Sequence, residues 1–256
     1  MTEKASGAGR DHGGGAVRAA WYAASPGTWR DWLSILHLPY TAWNLSYVLV
    51  GAGLAPHLSM SRLAATLIAF GLAVGVAAHG LDELHGRPLG TSIPSTLLAG
   101  VSAVALAAAV VLGVVGIGRV GWGLAGFIAV GGLIVVAYNL EVWGGRLHND
   151  TTFALAWGVL PVLTAYYAQA STLRPAAVAA AVFAYGLSRA QRALSTEARD
   201  VRRRLASVEG RRTYKDGTVV AISRQSILQP IERSLVALSW CTCALGVAVV
   251  LARSGH

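Results

Sequence analysis

Seven apolar stretches, separated by short polar segments, dominate the pattern along the chain. They cover residues 38–56, 63–81, 94–117, 121–142, 152–171, 175–191 and 234–252. A helix needs about 20 mostly apolar residues to cross the hydrocarbon core of a bilayer, and most of the stretches come close to that length. The pattern predicts an all-α fold, a polytopic transmembrane bundle of about seven helices in which short connections make neighbours antiparallel.

The polar segments divide the chain into four parts. Residues 1–30 are rich in glycine and lack the compact apolar core of a signal peptide, so we expect a disordered cytoplasmic tail. Residues 31–191 hold the first six predicted spans and form a six-helix membrane core. Residues 192–233 form a long basic cytoplasmic loop, and residues 234–256 hold the C-terminal transmembrane helix.

The long loop has a predicted local structure of its own. Its first half has helical spacing, with Ser195 as the candidate N-cap. Its second half, "RRTYKDGTVVAI", is typical of a β-hairpin that turns at Asp216-Gly217. Two interpretations of its basic charge stay open: attraction to anionic lipid head groups, or a lid that brings arginines over a phosphate-bearing substrate.

The composition also indicates a membrane protein. Hydrophobic residues make up 54% of the chain and charged residues 13%, whereas a soluble domain carries about 25% charged residues. In the seven-span topology with a cytoplasmic N-terminus, 17 of the 21 lysines and arginines face the cytoplasm. The positive-inside rule therefore predicts a cell-membrane protein in that orientation. Because topology accounts for the net charge of +9, we expect no nucleic-acid partner.

The second apolar stretch ends in a cluster of chemically active side chains, "AAHGLDELHGRPLGT". His79, Asp82 and Glu83 share one face of a continuing helix because they are three and four residues apart. His85 follows near the helix end that Pro88 enforces. Imidazole and carboxylate together are suitable ligands for iron, zinc or manganese.

The fourth stretch closes with a second cluster, "NLEVWGGRLHND". Glu141 lies at the helix end, where the negative end of the helix dipole and the nearby hydrocarbon both disfavour a free carboxylate. A metal ion or a retained proton relieves both penalties. Arg146, His148, Asn149 and Asp150 follow. The topology puts both clusters at the cytoplasmic face, where a shared site is our hypothesis.

A purely structural interpretation competes with that hypothesis. Glu83 and Arg87 are four residues apart, which is the spacing of a helical ion pair. Asp150 precedes the fifth stretch as a candidate N-cap. His37, just before the first stretch, fits an interfacial residue better than a ligand.

The order of these features resembles the UbiA-type intramembrane prenyltransferases. The similar segments are "HLPYTAWNLSYVLVGAGLAP", the acidic cluster followed by "GRPLGTSIP", and "YNLEVWGGR", and together they cover about residues 35–192. That family carries an Asp-rich motif after the second helix, then an Arg-Pro step, and a tyrosine/basic segment after the fourth helix. Its members transfer a prenyl chain from a magnesium-held diphosphate to an aromatic or lipid acceptor.

The resemblance implies roles for individual residues. Asp82 and Glu83 stand at the first Asp-rich motif, with Asp150 as a further magnesium ligand. Arg87 takes the Arg-Pro step and would contact the diphosphate. Tyr138 and Arg146 take the tyrosine/basic positions, and Arg146 would also contact the diphosphate. The histidines depart from the family pattern, because magnesium prefers oxygen ligands.

The sequence thus predicts an integral membrane metal-dependent enzyme that acts on an isoprenoid or other lipid at the cytoplasmic interface. The candidate catalytic residues are Asp82, Glu83, Glu141, Arg87 and Arg146. The candidate metal ligands are His79, Glu83, His85, Glu141, His148 and Asp150. The candidate substrate-binding residues are Asn44, Tyr138 and Asn149. The cofactor is a divalent metal: magnesium for prenyl transfer, or iron or zinc if the histidines are ligands.

Two alternatives to prenyl transfer stay open at this point. A histidine and carboxylate di-metal site with iron or zinc would make the protein a membrane oxygenase or hydrolase. The second alternative is a non-catalytic membrane scaffold or a transporter. For a transporter we expect ionisable residues on both sides of the membrane midplane, whereas the ionisable residues here crowd one face.

Overall fold

Helices account for nearly all of the regular structure in the computed structural model, which describes residues 28–254. The helices are α1 (Thr28–Ile35), α2 (Leu38–Gly53), α3 (Met60–Leu84), α4 (Ser95–Val120), α5 (Gly123–Asn139), α6 (Asp150–Ala170), α7 (Pro175–Arg203) and α8 (Arg224–Ser254). The described residues contain one small antiparallel sheet, formed by β1 (Arg211–Thr213) and β2 (Val219–Ala221). The all-α prediction is confirmed.

Four helices, judged by length and composition, are long and apolar enough to cross a bilayer: α3, α4, α6 and α8. This finding indicates a membrane protein. Each of the seven predicted stretches falls on a helix, but the other three helices do not meet both criteria. With 16 and 17 residues, α2 and α5 extend only about 25 Å, against a hydrocarbon core of about 30 Å. These criteria therefore support four of the seven predicted spans, and the other three stay predictions.

The helix boundaries follow from local chemistry. The side chain of Ser59 accepts a hydrogen bond from the Arg62 amide and caps the start of α3. Asn149 caps α6 in the same way, accepting from the Thr152 amide at 2.9 Å. The prediction that Asp150 is this cap was wrong by one residue, because Asp150 is already the first residue of the helix.

The predicted boundary at residue 192 is not a boundary of secondary structure. Helix α7 continues without a break from its apolar half to Arg203. Ser195 lies inside this helix, where its hydroxyl donates to the Arg192 carbonyl at 3.2 Å, so the predicted cap was wrong. Of the predicted loop 192–233, only residues 204–223 lie outside the helices.

The predicted hairpin is confirmed. Arg211 pairs with Ala221 and Thr213 with Val219 in antiparallel register. Gly217 has φ 85°, a conformation that glycine adopts without strain, and Asp216 accepts a hydrogen bond from the Thr218 amide at 2.9 Å. The predicted tail falls on residues outside the described part of the chain, apart from 28–30, which begin α1.

Two helices contain wider π-helical turns, Gly71–Ala78 in α3 and Leu155–Val159 in α6. Such turns occur frequently at functional sites. Both segments contribute to one buried cluster with α4 and α5, in which Val74, Ala77, Ala156 and Trp157 pack together. The unusual turns of two helices therefore meet in the middle of the bundle.

Close backbone packing, and hydrogen bonds from arginine side chains to backbone carbonyls, hold the bundle together. Gly51 of α2 lies so close to the Val162 carbonyl of α6 that a Cβ would collide with it. At one end of the bundle, the Arg62 guanidinium donates to the backbone carbonyls of Gln169 and Arg119, both at 3.1 Å. Arg253 donates to carbonyls of the segment that joins α2 and α3. We call this end the arginine-capped end.

Candidate functional site

A polar cavity of about 430 Å³ lies at the opposite end of the bundle. Its walls come from the start of α2, the end of α3, the segment between α5 and α6, and the second half of α7. Its ionisable lining consists of four histidines, two carboxylates and four arginines. These are His37, His79, His85, His148, Asp82, Glu141, Arg192, Arg199, Arg202 and Arg203.

The two clusters that the sequence places apart meet in this cavity. His85 Nε2 lies 3.8 Å from Glu141 Oε2, and His148 Nδ1 lies 3.7 Å from Glu141 Oε1. One carboxylate thus faces an imidazole from each cluster. Glu141 has φ 48°, a left-handed conformation that a side-chain-bearing residue seldom adopts. The backbone at this position is strained, as is frequent for functional residues.

Backbone carbonyls fix the protonation of two cavity histidines. His79 Nδ1 lies 3.2 Å from the Gly75 carbonyl, and His148 Nδ1 lies 3.1 Å from the Tyr138 carbonyl. A carbonyl oxygen only accepts, so in each ring Nδ1 carries the proton. When either ring is neutral, its Nε2 atom is therefore an acceptor with a lone pair.

His37 also lines the cavity, although its position just before an apolar stretch favoured an interfacial residue. It is the residue before α2, with φ 44°, and its ring centroid lies 4.2 Å from that of His79. Burial lowers the pKa of His37 well below its usual value, and the electrostatic influence of His79, Arg199 and Arg203 lowers it further. His37 is therefore neutral at neutral pH. A single histidine before an apolar stretch carries no sequence signal of this packing.

The arginines were expected in the helical first half of a long loop, and the structure places them on a continuation of α7. Arg192, Arg199 and Arg203 are spaced by seven and four residues, which puts them on one face of α7. Arg192 also donates to Asp150 at 2.9 Å, and Arg202 donates to Glu232 of α8 at 2.6 Å. The spacing of the arginines was visible in the sequence. They line the cavity because α7 continues without a break through these positions.

Glu83 does not line the cavity, although it was a candidate ligand. It is 1% exposed, and its two oxygens accept from the Leu89 amide at 2.9 Å and from the amide and hydroxyl of Thr91 at 2.8 and 2.9 Å. Arg87 donates to the carbonyl of Ile93 at 2.6 Å. The predicted Glu83–Arg87 ion pair was therefore wrong, because each side chain forms hydrogen bonds with the segment that follows α3 instead of with the other.

The other candidate residues occupy four kinds of position. Asn44 lines the cavity. Tyr138 is buried behind it, stacked on His148 with ring centroids 4.4 Å apart. Asn149 and Asp150 serve the start of α6, through the cap and the ion pair with α7. Arg146 is exposed and lies outside the cavity lining. Six predicted residues thus line the cavity: Asn44, His79, Asp82, His85, Glu141 and His148.

The arrangement does not fit an assembled metal centre. Among residues 28–254, no group of three or more histidine, cysteine, aspartate or glutamate side chains is arranged to hold a metal ion. The nearest approach is His85, Glu141 and His148, but there the Nδ1 atom of His148 is engaged by the Tyr138 carbonyl. The divalent metal stays a prediction from the sequence.

A second cavity, which we call the apolar groove, lies next to the polar one. It has a volume of about 310 Å³ and is walled by α3, α4, α5 and α6. Its lining is almost wholly hydrophobic and includes Phe70, Val74, Leu106 and Val135. Trp157 lines both cavities. A polar chamber and an apolar groove thus share one aromatic wall.

Known proteins add no further information about the site. No family model matches the chain, and neither a curated protein nor a solved structure is significantly similar to it. The resemblance to UbiA-type enzymes stays a prediction from the motifs. The function is therefore inferred from the geometry of the two cavities.

Proposed function

We propose that the protein is a multi-pass membrane enzyme that acts on an amphipathic lipid. The anionic head group binds in the polar cavity, and the hydrocarbon chain extends past Trp157 into the apolar groove. The observation that carries this proposal is that a cavity with four arginines shares a wall with an apolar groove. Both cavities fall in the volume range of about 300–1,000 Å³ that is typical of small-ligand sites.

The charge of the cavity favours an anionic head group. Its lining contains four guanidinium groups and two carboxylates, and two of the guanidinium groups, those of Arg192 and Arg202, also form ion pairs with Asp150 and Glu232 outside the lining. Guanidinium forks match phosphate and carboxylate oxygens and give hydrogen bonds about twice as strong as neutral ones. Gln191, 4% exposed and also in the lining, has a buried Oε1 with no hydrogen-bond partner in the described structure. That oxygen is a ready acceptor for a hydroxyl group of the ligand.

An isoprenoid diphosphate fits both cavities and the resemblance to prenyltransferases. In prenyl transfer the bond between the prenyl carbon and a diphosphate oxygen breaks, and the diphosphate leaves with the bonding electrons. The arginines of α7 would stabilise the leaving charge. The prenyl carbon bonds to the acceptor, whose proton would pass to a lone pair such as Nε2 of His79 or His148. Lipid metabolism is the corresponding biological context.

We further propose that all seven long helices cross the cell membrane, with the N-terminus and the polar cavity on the cytoplasmic side. Arg62 ties the ends of α4 and α6 together, which supports the alternating order. The distribution of lysine and arginine supports the orientation. Helices shorter than the bilayer are accommodated by local thinning or by burial among their neighbours, and α2 is largely buried.

A second candidate function rests on His85, Glu141 and His148. Their approach within 3.8 Å supports an iron- or zinc-dependent membrane oxygenase or hydrolase, since these side chains are common ligands of both metals. Elemental analysis of the detergent-purified protein tests it. Iron or zinc near one ion per chain, lost in Glu141→Ala, supports this candidate over prenyl transfer.

The main proposal is tested by the binding of farnesyl diphosphate and of farnesol, its uncharged analogue, to the purified protein. We expect farnesyl diphosphate to bind at least tenfold more tightly. Arg199→Gln should weaken its binding about tenfold, because a charge-assisted hydrogen bond contributes about 1.5–3 kcal/mol. Arg189→Gln is the matched control, on the same helix but outside the cavity lining. Equal binding of the two ligands, or equal effects of the two substitutions, would contradict the proposal.

A further inference from the structure

The apolar groove has a mouth at the arginine-capped end of the bundle, where exposed residues line it. Its lining runs along α3 from Val74 to Arg62, about 18 Å at 1.5 Å per helical residue. Near Arg62 the lining includes Ala65 of α3 and Val115 and Arg119 of α4, all of them exposed. The groove therefore opens sideways between α3 and α4, about one leaflet's depth from the polar cavity.

Among the described residues, the charged side chains at this end of the bundle are all positive. The chain segments that form it contain four arginines and no aspartate or glutamate. The segments are 54–62, 118–124, 168–176 and 249–254. Arg62 is used to hold backbone carbonyls, whereas Arg119 is exposed in the last turn of α4 and lines the mouth of the groove.

The surroundings of the mouth match a membrane interface. Trp122 follows Arg119 by three residues and is 82% exposed, and exposed tryptophans are enriched at the boundary between head groups and hydrocarbon. On the other side of Arg119, Val111, Val114 and Val115 are 55–60% exposed. An apolar surface thus leads into the groove, and a cation stands at its entrance.

We propose that this mouth is a binding site for an anionic phospholipid of the adjacent leaflet. The lipid phosphate contacts Arg119, and one acyl chain enters the apolar groove between α3 and α4. A guanidinium fork recognises the phosphate. The described segments at this end hold no carboxylate side chain that would compensate its charge, and the groove removes the acyl chain from competing lipid. The site depends on the membrane position of the helices and does not need the proposed enzymatic activity, but the acyl chain would compete with the chain of the proposed substrate for the apolar groove.

The experiment measures lipid retention by native mass spectrometry on the full chain in detergent, without any substrate. We expect dioleoyl phosphatidylglycerol to be retained at about tenfold lower concentration than dioleoyl phosphatidylcholine. Arg119→Gln should abolish this difference, and Arg119→Lys should retain most of it. Arg174→Gln is the matched control, because Arg174 is exposed at the same end but does not line the groove. Equal retention of the two lipids, or equal loss in Arg119→Gln and Arg174→Gln, overturns the proposal.

A second variant tests the position of the acyl chain. Ala65→Phe fills the mouth from an exposed helix position, where a larger side chain leaves the fold intact. We expect it to reduce phosphatidylglycerol retention about tenfold without changing the elution volume of the protein. Unchanged retention in Ala65→Phe overturns the placement of the chain. Farnesyl diphosphate binding at the polar cavity is a separate measurement, so either proposal fails without the other.

Discussion

At the residue scale, Glu83 and Glu141 show how differently two carboxylates at helix ends are used. Glu141 is half-exposed in the cavity between two imidazoles. Glu83 is buried and receives three hydrogen bonds from the segment that follows α3. The first lies in the proposed binding cavity, and the second stabilises the segment that carries His85.

Replacing Glu83 should therefore destabilise the protein. Glu83→Ala leaves the amides of Leu89 and Thr91 without their acceptor, at a cost of about 3 kcal/mol, since each buried unpaired group costs about 1–3 kcal/mol. The measurement is thermal unfolding in detergent, with Glu209→Ala at an exposed position as the control. If Glu83 were solely a metal ligand, its removal would lower metal content and leave the metal-free stability unchanged.

His37 predicts a dependence of stability on pH. Its folded pKa lies below the unfolded value, which is about 6.5, so between the two values the unfolded chain binds the extra proton. Stability is then fully present above pH 6.5 and falls as the pH drops below it. We expect the unfolding midpoint to fall less between pH 7.5 and 5 in His37→Gln than in the wild type.

The control for this experiment is His57→Gln, because His57 is an exposed histidine on the segment between α2 and α3. It should show the same fall in the unfolding midpoint as the wild type. An equal fall in His37→Gln and the wild type would show that burial of His37 does not couple folding to pH.

Residue identity alone predicted part of the candidate site. His79, Asp82, His85, Glu141 and His148 were visible because ionisable groups are costly beside apolar stretches. Glu83 was misassigned because helical spacing places it on the face of His79, whereas the segment after α3 folds back over it. A contact between a helix and a later loop has no signal in local spacing.

At the element scale, local turn and capping chemistry was the most predictable feature. The hairpin turn needs only Asp216 and Gly217, so the sequence placed it correctly. Helical structure after residue 192 was predicted, but the continuity of α7 was missed because apolar periodicity stops near residue 191 while the helix continues. Hydropathy predicts the apolar part of a helix, but it does not predict how far the helix continues through polar residues.

The contact between α2 and α6 gives a prediction at this scale. Gly51→Ala should destabilise the protein by about 1–3 kcal/mol, the usual cost of overpacking, because the new methyl meets the Val162 carbonyl. Gly126→Ala is the matched control, in a helix position with no atom near the added methyl, and should be neutral or slightly stabilising. Thermal unfolding in detergent compares the two, and equal effects would contradict the close packing.

At the scale of the whole molecule, hydropathy predicted the positions of the helices along the chain, whereas the packing of the helices determines where the cavities lie. The apolar stretches all fall on helices, but neither cavity could be derived from them. Both cavities depend on which helix faces meet, and apolar stretches rich in alanine and glycine allow many such pairings. Trp157 lines both cavities because of the way these helix faces pack.

The proposed orientation predicts which loops a membrane-impermeant maleimide can reach. After replacement of Cys241 and Cys243, Thr172→Cys should be labelled in intact cells. Gly217→Cys, on the hairpin, should be labelled only after permeabilisation. The reverse pattern would place the polar cavity on the outer side, and labelling of both in intact cells would contradict the alternating arrangement.

The continuity of α7 also has a consequence for insertions and deletions. Because each residue advances an α-helix by about 100°, one residue added between the apolar half and Arg192 would turn all four cavity arginines away from the cavity together. A deletion of seven residues would nearly restore their direction but withdraw them by about 10 Å. The length of this helix is therefore as much a part of the site as its side chains, and we expect changes in length to be tolerated in segment 204–223 instead.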